Sequence, residues 1–238
     1  MRASDCLIAV VDDNVPVARA VSRVLSTQGY RVKTFTSGRE YLDQRLALRP
    51  TCLLADIRMP GLDGLQTHRA AHEDGNETPT VFMTASGDVT VAVSAMKAGA
   101  TDLLSEPFSM DALLNAIDVA VTRAEASDRD LRSLAELWER AAKLTPREAE
   151  IAVLVASGRL NKQVAAKTGI TEKTVKVHRA RAMRKLGASS LAEAVRSIDR
   201  ILSERARASI QIAGLFVARP FVVDVMVRAL EGDPATKG

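Results

Sequence analysis

Short apolar runs alternate with amphipathic segments over the first 124 residues. The run CLIAVV at residues 6–11 is continuously apolar and ends in two carboxylates, and the runs TCLLADI and TVFMTAS have the same character. Such runs predict strands that are buried on both faces, whereas YRVKTF alternates like a strand with one buried face. TDLLS adds a last short strand, and apolar residues recur at helical spacing over residues 16–28, 38–48, 89–98 and 110–123.

This pattern, in which five strands alternate with five helices, predicts an α/β domain with a doubly wound, mainly parallel sheet. Right-handed crossovers bring the carboxyl ends of parallel strands to one edge, where ligands bind in such folds. Within the first helix, the spacing indicates a core-facing set formed by Val17, Ala20, Val21, Val24 and Leu25.

A helical pattern continues through the second half of the chain. Residues 125–144 place an apolar stripe among many charges, formed by Leu131, Leu134, Leu137, Trp138 and Ala141. We expect an exposed amphipathic helix that extends the preceding helix as a stiff linker; packing on its own chain and a dimer seam are the alternatives. Residues 145–202 are helical, with breaks at Gly158, Gly169 and Gly187, and predict a small all-α domain of four short helices.

Charge is distributed unevenly along the chain. Residues 1–124 carry 12 basic and 15 acidic side chains, a net charge of −3, whereas residues 145–202 carry 12 basic and 5 acidic side chains, a net charge of +7. The basic block indicates a polyanionic partner; a solvated surface without a partner is the alternative. The chain has neither a membrane-length apolar run nor a signal-peptide pattern, so we expect a cytoplasmic protein with no membrane partner, in which Cys6 and Cys52 are buried thiols.

Carboxylates cluster where the predicted strands end. Asp12 and Asp13 follow the first strand, Asp56 ends the third and Thr84 ends the fourth. These ends are neighbours in a parallel sheet, and three converging carboxylates repel one another unless a cation lies among them. Oxygen ligands suit Mg²⁺, and a carboxylate beside Mg²⁺ can accept a phosphoryl group.

The segments VVDDN, LLADIRMPGLDG, VFMTASGD, AMKAGATD and EPF occur in the order and spacing of response-regulator receiver domains. The chain resembles the FixJ/NarL branch of that family, whose receiver has a flavodoxin-like (CheY-like) fold. The resemblance implies that Asp56 is the phosphoacceptor and that Thr84 is the switch hydroxyl. It also implies that Mg²⁺ is bound by Asp12, Asp13, Asp56 and the backbone carbonyl of Arg58, and that a sensor histidine kinase is a partner.

Two positions depart from the receiver pattern. Glu106 stands where the family has a lysine, and Leu103 stands where it has an aromatic switch residue. Two unit charges 4 Å apart interact by about 4 kcal/mol at an effective dielectric of about 20, so a reversed charge opposes an added phosphoryl group. The receiver is therefore either degenerate or a working variant, and an ion pair between Arg58 and Glu106 is one way to neutralise the acid.

The second half offers a helix-turn-helix. Thr145, Pro146 and Glu148 form a helix start, Gly169 supplies a turn, and Thr171 caps a third helix that runs to about residue 186. This third helix carries six basic residues, namely Lys173, Lys176, Arg179, Arg181, Arg184 and Lys185. Such a helix suits the major groove of DNA, and a membrane-surface helix is the weaker alternative.

Residues 143–200 resemble the LuxR/FixJ-type helix-turn-helix through LTPRE, GRLNKQVAAKTGITEKTVKVH and MRKLGASS. The resemblance implies that Lys176 and Val177 face base edges and that His178 is half-buried. The remaining DNA-binding residues, at phosphates or flanking bases, are Lys162, Lys173, Thr174, Arg179 and Arg181. Domains of this kind bind two half-sites of double-stranded DNA as dimers, so we expect a homodimer.

Residues 203–238 extend beyond this resemblance. The segment SIQIAGLFVARPFVVDVMV is apolar, and Pro220 is expected to separate two short helices or strands within it. An apolar patch of this size is expected to be covered. Packing against the chain's own helices and an added dimer interface are the two alternatives.

The predicted organisation is a receiver domain at 1–124, a helical linker at 125–142, a helix-turn-helix domain at 143–202 and an extension at 203–238. We expect a DNA-binding transcription regulator that is not an enzyme in the usual sense and is controlled through its receiver. The rival functions are a phosphorylation-independent DNA-binding regulator set by dimerisation or a protein partner, a protein-interaction adaptor, and a hydrolase that uses the four carboxylates.

Overall fold

A computed structural model describes residues 2–72, 78–85, 89–204, 209–212 and 215–231. Contacts divide the chain into two units, residues 1–127 and residues 128–238. None of the helices in the described ranges is long and apolar enough to cross a membrane.

Five parallel strands form the sheet of the first unit, in the order β2-β1-β3-β4-β5. Their bounds are β1 Leu7–Val11, β2 Arg31–Phe35, β3 Cys52–Asp56, β4 Thr80–Thr84 and β5 Asp102–Ser105. All pairings are parallel, so the carboxyl ends of the strands share one edge. The predicted doubly wound sheet is confirmed.

Helices cover both faces of this sheet. A short 3₁₀ turn at Ala3–Asp5 precedes α1 Val15–Thr27, α2 Gly38–Leu48, α3 Gly64–His72, α4 Val89–Lys97 and α5 Met110–Ala142. One core cluster packs β1, β3 and β4 against α1 and α5 and contains both free cysteines, and the other packs the opposite face against α2, α3 and α4. In α1, the prediction that Ala20 belongs to the core is wrong: Ala20 is exposed, and Ala18 is buried on the inward face of the helix instead.

Helix α5 continues without a break to Ala142, so the segment after residue 123 extends the preceding helix, as expected. Its apolar stripe is not exposed as expected: Leu134 and Trp138 are 3% and 0% exposed, within the core of the second unit. The stripe is covered because the helices that follow it along the chain present an apolar surface of their own. The stripe therefore packs on its own chain and does not face solvent.

The second unit is mainly helical. After α5 it contains α6 Pro146–Ala156, α7 Asn161–Thr168, α8 Glu172–Leu186 and α9 Leu191–Ser203. Thr145 and Glu148 form a capping box at the start of α6, and Thr171 and Ser190 cap α8 and α9 through their side-chain oxygens. The predicted four-helix pattern is confirmed.

The C-terminal residues add a hairpin and a last helix. Strands β6 Ser209–Ile212 and β7 Leu215–Ala218 pair antiparallel, and α10 Val222–Glu231 follows. Pro220 lies between the hairpin and the helix, as predicted. Parts of the predicted extension, residues 205–208, 213–214 and 232–238, lie outside the described residues.

Candidate metal centre and nucleic-acid interface

Three carboxylates meet at the carboxyl edge of the sheet. Asp12 and Asp13 follow β1, and Asp56 ends β3, which is hydrogen-bonded to β1. One carboxylate oxygen from each lies within 4.8 Å of the other two. Hard oxygen donors at this spacing suit Mg²⁺, so the donor set fits the metal that the sequence predicts. That the backbone carbonyl of Arg58 is a further ligand of the metal stays a prediction.

Burial makes the first of these carboxylates costly to ionise. Asp12 is 2% exposed, and its Oδ1 accepts a hydrogen bond of 2.7 Å from the backbone N–H of Asn14. The pKa of Asp12 rises to about 6, chiefly because burial penalises the charged form. Negative charge on Asp56, Asp13 and Glu106 raises it further, whereas the Asn14 N–H lowers it.

The same forces act on Asp56. Burial raises its pKa, the Arg58 N–H opposes this by donating to Oδ1 at 3.2 Å, and the negative charge of Glu106 raises the pKa again. Glu106 therefore acts electrostatically on both Asp12 and Asp56. A cation bound among these groups would relieve the repulsion.

The three remaining pocket positions lie on β4 and β5 and just beyond. Thr84 is 1% exposed at the end of β4, and its carbonyl accepts a 2.8 Å bond from the N–H of Glu106. Leu103 is half-buried in β5, opposite Phe82, and the side chain of Glu106 is also half-buried. Arg58 is exposed, and within the described ranges no ion pair joins it to Glu106, so the ion pair considered above does not form in this structure.

One polar residue of the first unit escaped the sequence analysis. His68 in α3 is 2% exposed; its Nδ1 lies 2.9 Å from the Thr80 hydroxyl, and its Nε2 lies 2.8 Å from the Ala98 carbonyl. Burial lowers the pKa of His68, against the bond to Ala98. A carbonyl only accepts, so Nε2 carries the proton, and His68 links α3 to β4 and to the turn after α4. No helical spacing distinguishes such a histidine from an exposed one.

Helix α8 presents most of the predicted DNA-binding residues to solvent. The exposed members, including one on α7, are Lys162, Lys173, Lys176, Val177 and Arg181. Thr174 is half-buried beside the capping Thr171, with 2.9 Å between the two hydroxyl oxygens. Arg179 is half-buried, and its Nη1 donates to Asn161 Oδ1 at 3.4 Å, so α7 holds it in place.

Not every cation of α8 belongs to this exposed face. Lys185 Nζ lies 2.6 Å from Glu148 Oε2, and the Glu148 side chain is only 4% exposed. Lys185 is thus a structural partner of α6. His178 is half-buried, as predicted, and its Nδ1 has no hydrogen-bond partner among the described residues.

Both units match known families. Residues 8–118 match the response regulator receiver domain, and residues 142–198 match the luxR family of bacterial regulatory proteins. The tetrathionate response regulatory protein TtrR of Salmonella typhimurium is 38% identical over 84% of this chain and 95% of its own length. The transcriptional regulatory protein FixJ of Bradyrhizobium diazoefficiens is 35% identical over 79% of this chain and 92% of its own length.

Solved structures agree with this assignment. The response regulator StyR is 36% identical, with a TM-score of 0.69 over 82% of this chain and 98% of StyR. Full-length FixJ from B. japonicum is 34% identical, with a TM-score of 0.52 over 83% of this chain and 97% of FixJ. The chain therefore belongs to the FixJ-like response regulators, transcription regulators in which a receiver domain precedes a LuxR-type DNA-binding domain.

Proposed function

We propose that this regulator reads specific DNA sequences through α8 and that its receiver domain works without a stable phosphoryl group. The observation that carries the second part is the half-buried acid at position 106, where the family has a lysine; its negative charge raises the pKa of Asp56 and, to a smaller extent, that of Asp12. The exposed cations of α8, on a helix capped at both ends, support the first part.

For DNA, Lys176 and Val177 contact base edges in the major groove, since both are exposed on the N-terminal half of α8. The residues that contact phosphates or flanking bases are Lys162, Lys173, Thr174, Arg179 and Arg181. Two copies of the chain bind two half-sites, as a homodimer. The regulator acts in the cytoplasm, where bacterial DNA lies.

In the receiver, Asp12, Asp13, Asp56 and the Arg58 carbonyl would bind Mg²⁺, which when bound offsets the negative charge of an incoming phosphoryl group. Asp56 is the residue that would accept that group. Thr84 would donate its hydroxyl to it, and the kinase partner would be a sensor histidine kinase.

Glu106 opposes this state. A phosphoryl group adds negative charge beside carboxylates whose pKa values are already raised, and no cation is paired with Glu106 within the described ranges. Leu103 also lacks the ring that an aromatic switch residue would turn inward. We therefore propose that dimerisation or a protein partner sets the activity.

Incubation with acetyl phosphate and Mg²⁺ tests this proposal. The wild type is expected to show little stable label, whereas Glu106→Lys, which restores a cation beside Asp56, gains label by at least about tenfold, the effect of about 1.4 kcal/mol. Asp56→Asn in the Glu106→Lys background is the control and loses the label. Rapid and stable labelling of the wild type would show instead that the receiver is a working variant.

A further inference from the structure

The last helix lies outside both family-matched ranges, 8–118 and 142–198, yet it is built into the core of the second unit. We infer that α10 is a positioning element for the helix-turn-helix, which holds α6 and α7 in place and thereby sets the affinity of α8 for DNA. This inference rests on DNA binding by α8.

The buried face of α10 is continuous with the core of the DNA-binding domain. Val222, Val223 and Met226 are 6%, 0% and 0% exposed, whereas Arg228 on the opposite side is exposed. Val175 of α8 belongs to the same core cluster. Because protein cores are close-packed, a shape change at α10 is transmitted to the helices it touches.

Helix α6 explains why an additional helix is needed. It is apolar almost all round, and its buried apolar residues are Ala149, Ile151, Ala152, Val153, Leu154 and Val155. A helix that is apolar on every side needs cover on every side. Helices α8 and α9 pack on α6, and α10 packs on it as extensively as α8 does.

A hydrogen bond also joins α10 to α7, the helix that precedes the turn into α8. Lys167 Nζ, at the end of α7, donates to the Ala229 carbonyl at 3.1 Å. Ala229 lies in the last turn of α10, where carbonyls have no partner within the helix and the helix dipole favours a cation. Lys167 is therefore a positioning residue that caps α10 from α7.

Helix α8 packs against α6 and α7. Helix α10 contacts α6 through the core and α7 through the hydrogen bond from Lys167. Loosening α10 would shift the platform beneath α8 without removing any cation from its exposed face. The expected signature is weaker binding to DNA with an unchanged dependence on salt, because that dependence counts phosphate contacts.

The test uses the full chain and the dissociation constant of a duplex selected for binding to the wild type, measured over a range of salt concentrations. Met226→Ala removes a side chain from the buried face, and Phe221→Ala is the matched control, because Phe221 is 65% exposed beside the same helix. Binding is measured at a temperature at which circular dichroism shows that all variants are folded. Met226→Ala is expected to weaken binding about tenfold with the wild-type salt slope, whereas Phe221→Ala leaves binding unchanged.

Lys167 gives an independent test if Met226→Ala does not fold. Lys167→Met is expected to weaken binding about threefold at an unchanged salt slope, and Lys167→Arg restores it. Wild-type affinity in Lys167→Met and in Met226→Ala, or in Lys167→Met alone if Met226→Ala does not fold, would overturn the inference. A salt slope reduced by about one in Lys167→Met would also overturn it, since Lys167 would then contact a phosphate. A wild type that binds no duplex would refute DNA binding itself, which is a distinct outcome.

Discussion

The ion pair between Glu148 and Lys185 ties the recognition helix α8 to α6, and its contribution to stability can be estimated. Glu148 Oε2 accepts from Lys185 Nζ at 2.6 Å and from the Thr145 N–H at 2.9 Å. Glu148→Gln keeps an acceptor for the capping bond but removes the charge. Lys185→Met removes the ammonium group and keeps most of the stem. The two single variants and the double variant form a mutant cycle.

Opposite charges about 4 Å apart attract by about 4 kcal/mol at an effective dielectric of about 20. Two effects reduce this figure: Glu148 loses its hydration, and the Lys185 side chain, at 34% exposed, keeps part of its own. Hydrogen bonds to charged groups contribute about 1.5–3 kcal/mol, and partial exposure favours the lower end. We expect a coupling free energy of about 1.5 kcal/mol.

Trp138 provides the assay. It is the only tryptophan of the chain and is fully buried in the core of the second unit. Urea unfolding followed by tryptophan fluorescence therefore reports on the DNA-binding unit and not on the receiver. The pair Glu136–Arg140 is the control, since its charged atoms lie 3.6 Å apart and both side chains are well exposed. Its own mutant cycle should give a coupling free energy of less than about 0.5 kcal/mol.

Acidity gives a second check on the same pair. Burial pushes the pKa of Glu148 upward, but the bonds from Lys185 and Thr145 outweigh it, so the pKa lies below the usual 4.5. A carboxyl whose folded pKa is depressed stabilises the fold above its unfolded pKa, and this contribution disappears as the pH falls through the folded value. The advantage of the wild type over Glu148→Gln should therefore shrink below pH 4.5. A coupling below about 0.5 kcal/mol, without this pH dependence, would refute the electrostatic account.

Three further predictions concern the receiver and the DNA contacts. Burial lowers the pKa of His68, so the unfolded chain takes up a proton first as the pH falls below 6.5, and the wild type should lose stability relative to His68→Gln in unfolding experiments from pH 7 to pH 5. A Cβ on Gly64 would overlap the backbone oxygen of Asp56, so Gly64→Ala should destabilise the receiver by about 1–3 kcal/mol or more in calorimetry. Lys176→Ala should cost about 1–3 kcal/mol at one base position in binding to a panel of duplexes, whereas Lys162→Ala should weaken all duplexes alike and lower the salt slope by about one. A uniform loss for Lys176→Ala would assign it to a phosphate.

Elements with strong local signals could be predicted from the sequence. The apolar runs and the alternating segment YRVKTF located all five strands of the sheet. The carboxylates that follow β1 and end β3 are close together in the structure, because parallel strands end at one edge. Thr145 and Thr171 cap the helices that were predicted to start there, since capping depends on a residue's immediate neighbours.

Features set by tertiary contacts could not be predicted. The stripe with Trp138 is amphipathic whether it faces solvent, a second copy or its own chain, and only packing decides among them. Lys185 has the same charge as the exposed cations of α8, but helical phase turns it towards Glu148. The sequence leaves open an ion pair between Arg58 and Glu106, and this pair does not form in the structure, where Arg58 is exposed. The packing of α10 on α6 likewise depends on a surface formed only after folding.

Binding of the purified full-length chain to duplex DNA, measured from low to physiological salt, tests the central claim most directly. The exposed cations of α8 predict tight binding, and the logarithm of the binding constant should fall linearly as the logarithm of the salt concentration rises. The chain should also prefer some DNA sequences over others, and this preference should persist without a phosphoryl donor. A chain that binds no duplex in dilute buffer would contradict the account, and binding that appears only after acetyl phosphate is added would contradict the role proposed for Glu106.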